Sequence, residues 1–454
     1  MTWEEIRHFH RQPAIIAWWQ RVWGPVLPWL TPSHRRLLLG LGAVVIAITD
    51  PLEELRKVRK LFGFTPDTLG SVLVIVALIA FVWTWYRVAR QFASLPAFVK
   101  RHPQLCLHGC FWVWMIALWN TAPANATVRT TLAGCALVFP LLLWRVGFML
   151  VTAQRGRMAD TTIADHWFYL WPVWGGSNVP YGKGFDYLKA CEAKDDEALA
   201  RSQLSAIKLF VLAALSGLGK GLIDGLVFGE DNFYRHALGG ATLGVASSNY
   251  MIATPGDYPI WKCWVSIYCD LFRLVLDWGS RGHVIVGYLR LGGFYVFRNT
   301  YKPLLAETIV EFWNRYYYYF KELLVQFFFL PTFTRYFKHS PQLRMFTAVF
   351  AAAFFGNLYY HVIKSPGFFQ ADWAKLWAVF NPRLVYCFAL ALGIFISMQR
   401  EQRRPKTAQP RPLWYRVRAI FGVWTFFAFI RLWHTGGMSQ AKRFHFVLGL
   451  FGLS

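Results

Sequence analysis

Charge is what this sequence has least of. Asp, Glu, Lys and Arg make up only 16% of 454 residues, against about 25% in a typical soluble domain. Acids are the scarcer sign, 24 Asp and Glu against 48 Lys and Arg. Disordered and coiled-coil chains need a polar, charge-rich composition, so both are excluded. No CxxC pair occurs among the seven cysteines. That removes a zinc site and a disulfide framework from consideration. No repeat period is visible, and the longest polar stretch, 183–201, is the size of a loop. A soluble domain of any size is not expected.

What is there instead is apolar and aromatic. Hydrophobic residues reach 56%, with 23 Trp, 40 Phe and 20 Tyr. A soluble surface cannot cover that much aromatic area, but a bilayer can, and its interfaces favour Trp and Tyr. The expectation is an all-α polytopic integral membrane protein with about ten or eleven membrane-embedded helices, some of them short or re-entrant. The net charge of +24 then reads as basic cytoplasmic loops facing anionic lipid. Nucleic-acid binding is set aside, because no binding motif accompanies the charge.

Residues 1–36 mix Glu4, Glu5, Arg7, His8 and His10 with Trp3, Trp18, Trp19, Trp23 and Trp29. This is an amphipathic, interfacial pattern rather than a signal peptide. Candidate spans come next at 68–86, 103–128, 130–152 and 204–228, then at 260–276, 283–297, 345–363, 384–398 and 419–432. The run 37–49 is short for a span, and 318–333 is apolar enough to enter the bilayer. The loop 400–418 carries Arg400, Arg403, Arg404, Arg411 and further basic residues against one acid, Glu401, which makes it cytoplasmic. Counting back one span puts 364–383 outside. Counting back another puts 335–344, with Arg335, Lys338 and Arg344, inside. His361 then lies toward the outer half of its helix.

Polar side chains inside apolar stretches need a partner, a cavity or a task. Asp270 can pair with Arg273 or Lys262. Lys220 and Asp224 are four residues apart, so an internal ion pair competes with a cavity lining. Glu311-Phe-Trp313-Asn314-Arg315-Tyr-Tyr317 reads either as an interfacial helix with an internal Glu–Arg pair or as a polar tunnel wall. His361 closes a run containing Ala351, Ala352, Ala353 and Gly356, small residues that permit close helix packing.

The order of these pieces carries a resemblance. Residues 266–333 include Tyr268 and Asp270, Gly287, Gly292 to Phe294, Asn299 and Pro303, then Phe312, Trp313 and Arg315. Upstream stand Tyr169 to Pro180 with Tyr181 and Phe185-Asp186, and Ser216-Gly217 with Lys220 and Asp224; downstream stands Gly356 to His361. In this order they resemble the membrane-bound O-acyltransferase family, in its bacterial alginate-acetylation and teichoic-acid D-alanylation branch. The resemblance covers about 165–400, with membrane helices at 37–164 before it and a basic loop and C-terminal helices at 401–454 after it. The chain departs from the family in three places. Tyr317 stands where the family's first His, or Asn in eukaryotic relatives, falls. Tyr360 replaces the Trp before His361, and the Gly356–His361 spacing is long.

The resemblance implies helices around a central tunnel. Through it an acyl group, acetyl in the first instance, passes from a cytoplasmic thioester to a hydroxyl of an extracytoplasmic acceptor such as a cell-surface polysaccharide. His361 would be the general base and Tyr317 the second catalytic group, with Asn314, Arg315, Glu311, Trp313, Asp270 and Tyr360 lining the tunnel. No metal or bound cofactor is implied. The donor is acyl-CoA or an acyl carrier protein. The partners are the lipid bilayer and an extracytoplasmic acyltransferase or esterase-like protein or a polysaccharide synthase complex. The location is the bacterial inner membrane. A lipid or peptide acceptor and a non-catalytic membrane scaffold remain alternatives; an ion transporter has little support, with no inverted repeat and few intramembrane acids.

Overall fold

The structure, a computed structural model, describes residues 3–121, 125–159, 161–170, 183–363, 365–404, 411–434 and 438–453. Among the described residues it is helical, with one isolated bridge, Glu192 to Phe294, as its only extended pairing. Among the described residues, five helices are long and apolar enough to cross a membrane: Thr68–Arg90, Asp196–Leu226, Pro341–Val362, Trp373–Gln402 and Leu413–Arg431. Ala126–Pro140 and Leu142–Gln154, bent by 55°, add a sixth if they form one span. The protein is therefore an α-helical membrane protein. Pro140 removes a backbone donor inside that helix, the ordinary cause of such a bend.

The chain divides into two compact units that do not follow linear order. The first holds Met1–Phe210, Val284–Phe297 and Ile363–Trp373. Its central helix is Ala126–Gln154, whose side chains from Leu142 to Val151 are almost all buried. Asn125 caps it by accepting from Val128 N at 3.1 Å. Against it packs Thr68–Arg90, capped by Asp67, which also accepts from Thr127 Oγ1 at 2.7 Å. Glycines set the approach. A Cβ on Gly134 would lie 2.3 Å from Val74 Cγ2, and one on Gly70 would lie 2.6 Å from Thr130 Cβ. Small residues at a helix interface serve this purpose in membranes, where dispersion packing holds helices together.

The amphipathic N-terminal stretch forms short helices, among them Pro13–Trp23. Ile16 is buried with Ala200 and Leu204, Trp19 donates to Gln203 Oε1 at 2.9 Å, and Lys208 donates to the Arg7 carbonyl. Trp18, Trp23 and Trp29 stay exposed.

The second unit holds Val211–His283, Arg298–Val362 and Ala374–Ser454. Its core gathers Ile267, Leu271, Phe312, Leu390 and Phe427, with the Phe312 and Phe427 rings stacked at 3.9 Å. Tyr268 and Thr425 share a hydroxyl hydrogen bond of 2.7 Å.

One segmentation of the sequence is corrected here. The stretch 260–276 and the first part of 283–297, expected as two spans, belong to one continuous helix, Ile260–Leu291. The polar residues between them are helix surface rather than a turn: Asp277 and Arg281, four apart, pair at 3.1 Å. The chain breaks instead at Gly292 and at Gly293, whose φ is +87°.

Candidate active site

Several residues picked out by motif order hold the backbone in place. At the Gly292–Phe294 turn, Ala193 N donates to the Gly293 carbonyl at 2.8 Å and Tyr295 N to the Cys191 carbonyl at 2.8 Å. Arg35, 4% exposed, donates to the carbonyls of Ala193 and Gly292. A Cβ on Gly293 would fall 1.8 Å from Arg35 Nη1, so only glycine fits both the space and the positive φ. Asn299, fully buried, accepts from Tyr319 N through its side chain and from Tyr318 N through its carbonyl. It thereby caps the restart of the chain after Ile309–Tyr316 ends. The segment 171–182, which carries part of the upstream Pro/Gly motif, lies outside the described residues.

The charges singled out in the sequence are paired. Lys220 lies 2.5 Å from Asp224, and Arg273 lies 3.3 Å from Asp224 and 3.2 Å from Glu230. Asp270, 3% exposed, accepts from Ser248 N at 2.8 Å and from Ser248 Oγ. Arg273 Nε stands 3.1 Å from its other oxygen, an ion pair without hydrogen-bond angles. Taking such charges out of water is costly unless each is matched. Glu311 is held twice, accepting from Glu307 N at 2.7 Å and pairing with Arg315. Thr308 caps the same helix by accepting from Glu311 N at 3.1 Å. Arg315 also reaches the Leu305 carbonyl at 3.4 Å. Asp270, Glu311 and Arg315 are thus tied into protein structure.

The remaining candidates form a chain of rings. Tyr317 sits at the helix break, 5.4 Å from Trp278 and 5.7 Å from Phe320, centroid to centroid. Trp313 also meets Phe320, at 6.0 Å. Phe320 packs on Tyr360 at 4.6 Å, and Tyr360 meets His361 at 5.7 Å. Tyr317 and His361 therefore belong to one aromatic cluster, with Phe320 and Tyr360 between them. Asn314 lines a different space, an apolar cavity of about 210 Å³ whose walls include Trp313, Lys321 and Ala352 but neither His361 nor Tyr317.

The geometry leading to His361 is irregular in a specific way. Pro341–Val362 widens into π turns over Phe350–Gly356, and the neighbouring helix does so over Val325–Phe329. The two touch closely: a Cβ on Gly356 would lie 2.7 Å from Phe328. A π turn holds an extra residue and re-aims the helix beyond it, and such turns recur at functional sites. Beyond this one stand Asn357 and, four residues on, His361, on one helix face.

Local spacing gives no hint of His361's neighbour. His434, just past Leu413–Arg431, lies 5.2 Å from the His361 ring, edge to face, and 5.1 Å from Tyr386. Asn357 is 1% exposed, and neither its Oδ1 nor its Nδ2 makes a hydrogen bond. The Tyr386 hydroxyl lies within hydrogen-bonding reach of the Asn357 side chain, though without ideal geometry, and Arg431 is within electrostatic reach of Tyr386, Tyr316 and Asp270. Arg431 Nη1 is also buried without a partner. Buried polar atoms are nearly always satisfied, so each exception marks strain, a ligand or a task. One signal in the sequence points to His434. Pro341–Val362 and Leu413–Arg431 are separated by one antiparallel span, so their C-terminal ends share a membrane face.

Two imidazoles in ring contact, a buried carboxamide, a phenol and a guanidinium make a set able to move a proton and bind a developing negative charge. The chain matches no family model, and no curated protein matches it in sequence.

Proposed function

We propose that the chain is a membrane-embedded O-acyltransferase of the membrane-bound O-acyltransferase type, with His361 as general base. The observation that carries the reading is the ring contact of His361 with His434, on a helix whose buried Asn357 faces the Tyr386 hydroxyl. Acyl transfer from a thioester to a hydroxyl needs a base, oxyanion donors and exclusion of water. His361 takes the acceptor's proton, and the hydroxyl oxygen attacks the thioester carbonyl. Asn357 Nδ2 and the Tyr386 hydroxyl supply hydrogen bonds to the oxyanion. The C–S bond then breaks, and the thiolate leaves with a proton from the imidazolium. His434 shares that proton or orients the base.

The finer picture belongs to the same proposal. Ten or eleven membrane-embedded helices enclose a tunnel, with the short helices completing the long ones. The donor, acyl-CoA or acyl carrier protein, enters from the cytoplasm. The acceptor, a cell-surface polysaccharide, is met outside the inner membrane, through an extracytoplasmic acyltransferase or esterase-like protein or a polysaccharide synthase. One observation favours a second reading, a non-catalytic scaffold: Tyr317, at the family's first His position, packs against Trp278 and Phe320. Thioester turnover by purified protein separates the two.

The test is His361→Ala and His434→Ala, each assayed for acylation of cell-surface product at matched membrane levels. Losing a general base costs 10²–10⁴-fold, about 3–5 kcal/mol of barrier. Full acylation in His361→Ala cells rejects the mechanism. Full acylation in His434→Ala alone leaves His361 acting without it.

A further inference from the structure

We infer that a second site, at the basic end of the last two long helices, binds a membrane phospholipid by its anionic headgroup. The inference does not depend on the acyltransferase reading. A cavity of about 540 Å³ opens between Trp373–Gln402, Leu413–Arg431 and the start of Ile309–Tyr316. That is within the size range of small-molecule sites, ~300–1,000 Å³. Its lining is mixed: Arg400, Arg404 and Arg411 contribute to it, and so do Ile309, Ile396, Val423 and Phe426.

The acids in the wall are already occupied. Glu307 is matched by Arg416 at 2.6 Å and by Arg411 at 3.6 Å, and Glu401 accepts from Thr308 Oγ1 at 2.8 Å. Arg400 and Arg404 form no ion pair among the described residues. Two guanidinium groups at the mouth are therefore left for an outside anion. Arginine matches phosphate through a planar fork of donors, which makes it the apt side chain for a phosphodiester.

The apolar lining says what the anion is attached to. Ala419 and Gly422, three apart on one helix face, keep it open. A Cβ on Gly422 would meet nothing within 4 Å, whereas one on Gly393 would lie 2.5 Å from Phe426 Cζ. The groove is thus tight at Gly393 and empty at Gly422. A free phosphate would use the arginines and leave that groove wet. A phospholipid uses both, with its phosphate on Arg400 and Arg404 and an acyl chain against Val423 and Phe426. Basic pockets between membrane helices favour anionic headgroups over zwitterionic ones.

The experiment is native mass spectrometry of the purified full chain with added phosphatidylglycerol or phosphatidylcholine. Wild type is expected to retain phosphatidylglycerol preferentially. Arg400→Gln and Arg404→Gln should each weaken that retention roughly fivefold, and Arg→Lys at both positions should restore part of it. Gly422→Phe tests the groove without touching a charge. Its ring enters open space, so the protein should fold and lose bound lipid. Equal retention of the two lipids by wild type, or unchanged retention in the variants, overturns the inference. Release of the lipid by millimolar inorganic phosphate overturns it too, because that would mark a soluble-anion site.

Discussion

Asn357 gives the sharpest distinction between a residue that builds the protein and one that works in it. A buried amide with no hydrogen bond costs ~1–3 kcal/mol relative to a satisfied one. Asn357→Leu keeps the volume and removes an amide whose one side-chain partner, Tyr386, it meets with poor hydrogen-bond geometry. The variant should be at least as heat-stable as wild type in detergent while losing acylation by 10²-fold or more, the scale of a lost oxyanion donor. A destabilised variant with normal activity would return Asn357 to the packing. The companion change, Tyr317→Phe, keeps the ring contacts with Trp278 and Phe320 and removes only the hydroxyl; a loss of at least about tenfold, or about 1.4 kcal/mol, assigns that hydroxyl a part in the reaction, and full activity leaves Tyr317 as lining. The short-range pairs were readable from spacing alone. Lys220 with Asp224 and Glu311 with Arg315 are i, i+4, and Asp270 with Arg273 is i, i+3. His434 was not readable that way, since 73 positions separate it from His361 and no local periodicity links them.

Among the elements, the N-terminal helices are held by a contact that responds to pH. His10 is 3% exposed, and burial pushes its pKa down from the usual 6.5 to about 3, with Lys208 and Arg11 adding repulsion. The folded form therefore prefers neutral His10. Where pH lies below 6.5 and above about 3, the unfolded or undocked chain binds the extra proton, so stability falls as pH falls through that window. Docking of this segment should be complete at pH 8 and loosen progressively on acidification below 6.5. Trp19, which donates to Gln203 across the same contact, reports it by fluorescence. His10→Phe should flatten the profile, and an unchanged profile in that variant would place the sensing group elsewhere. The turn at Gly293 is the other vulnerable element. Gly293→Ala meets both a φ of +87° and an Arg35 Nη1 at 1.8 Å, so it should lower thermal stability by about 1–3 kcal/mol. Motif order singled out Gly292 to Phe294, but the apolar run read there, 283–297, passes straight through them. Neither could show that Arg35, remote in the chain, fills the space beside them.

For the whole molecule, the alternation of Pro341–Val362 and Trp373–Gln402 as neighbouring spans puts 335–344 and 400–418 on one side of the membrane. Their basic residues predict that this side is cytoplasmic. Single cysteines introduced at Lys338 and at Arg403 should resist an impermeant maleimide in intact cells and react after permeabilisation. Labelling of either from outside overturns this topology. Placed with the loops inside, the phospholipid site lies at cytoplasmic headgroup level, and His361 and His434 lie toward the opposite face.

The sequence by itself determined that the chain is helical and membrane-embedded, because composition and run length act locally: a charge-poor apolar run about 20 residues long has no other stable form in lipid. It also determined the near pairs, because helical spacing brings i and i+4 together whatever surrounds them. Only the tertiary structure decided that 260–291 is one helix and that Asn299 and Gly293 are framework residues. Only it set His361 beside His434 and left Asn357 and Arg431 with unbonded atoms in the interior. Those outcomes depend on contacts between segments far apart in the chain, where the energy of packing and of satisfying buried polar groups is settled jointly, and no window of sequence contains both partners.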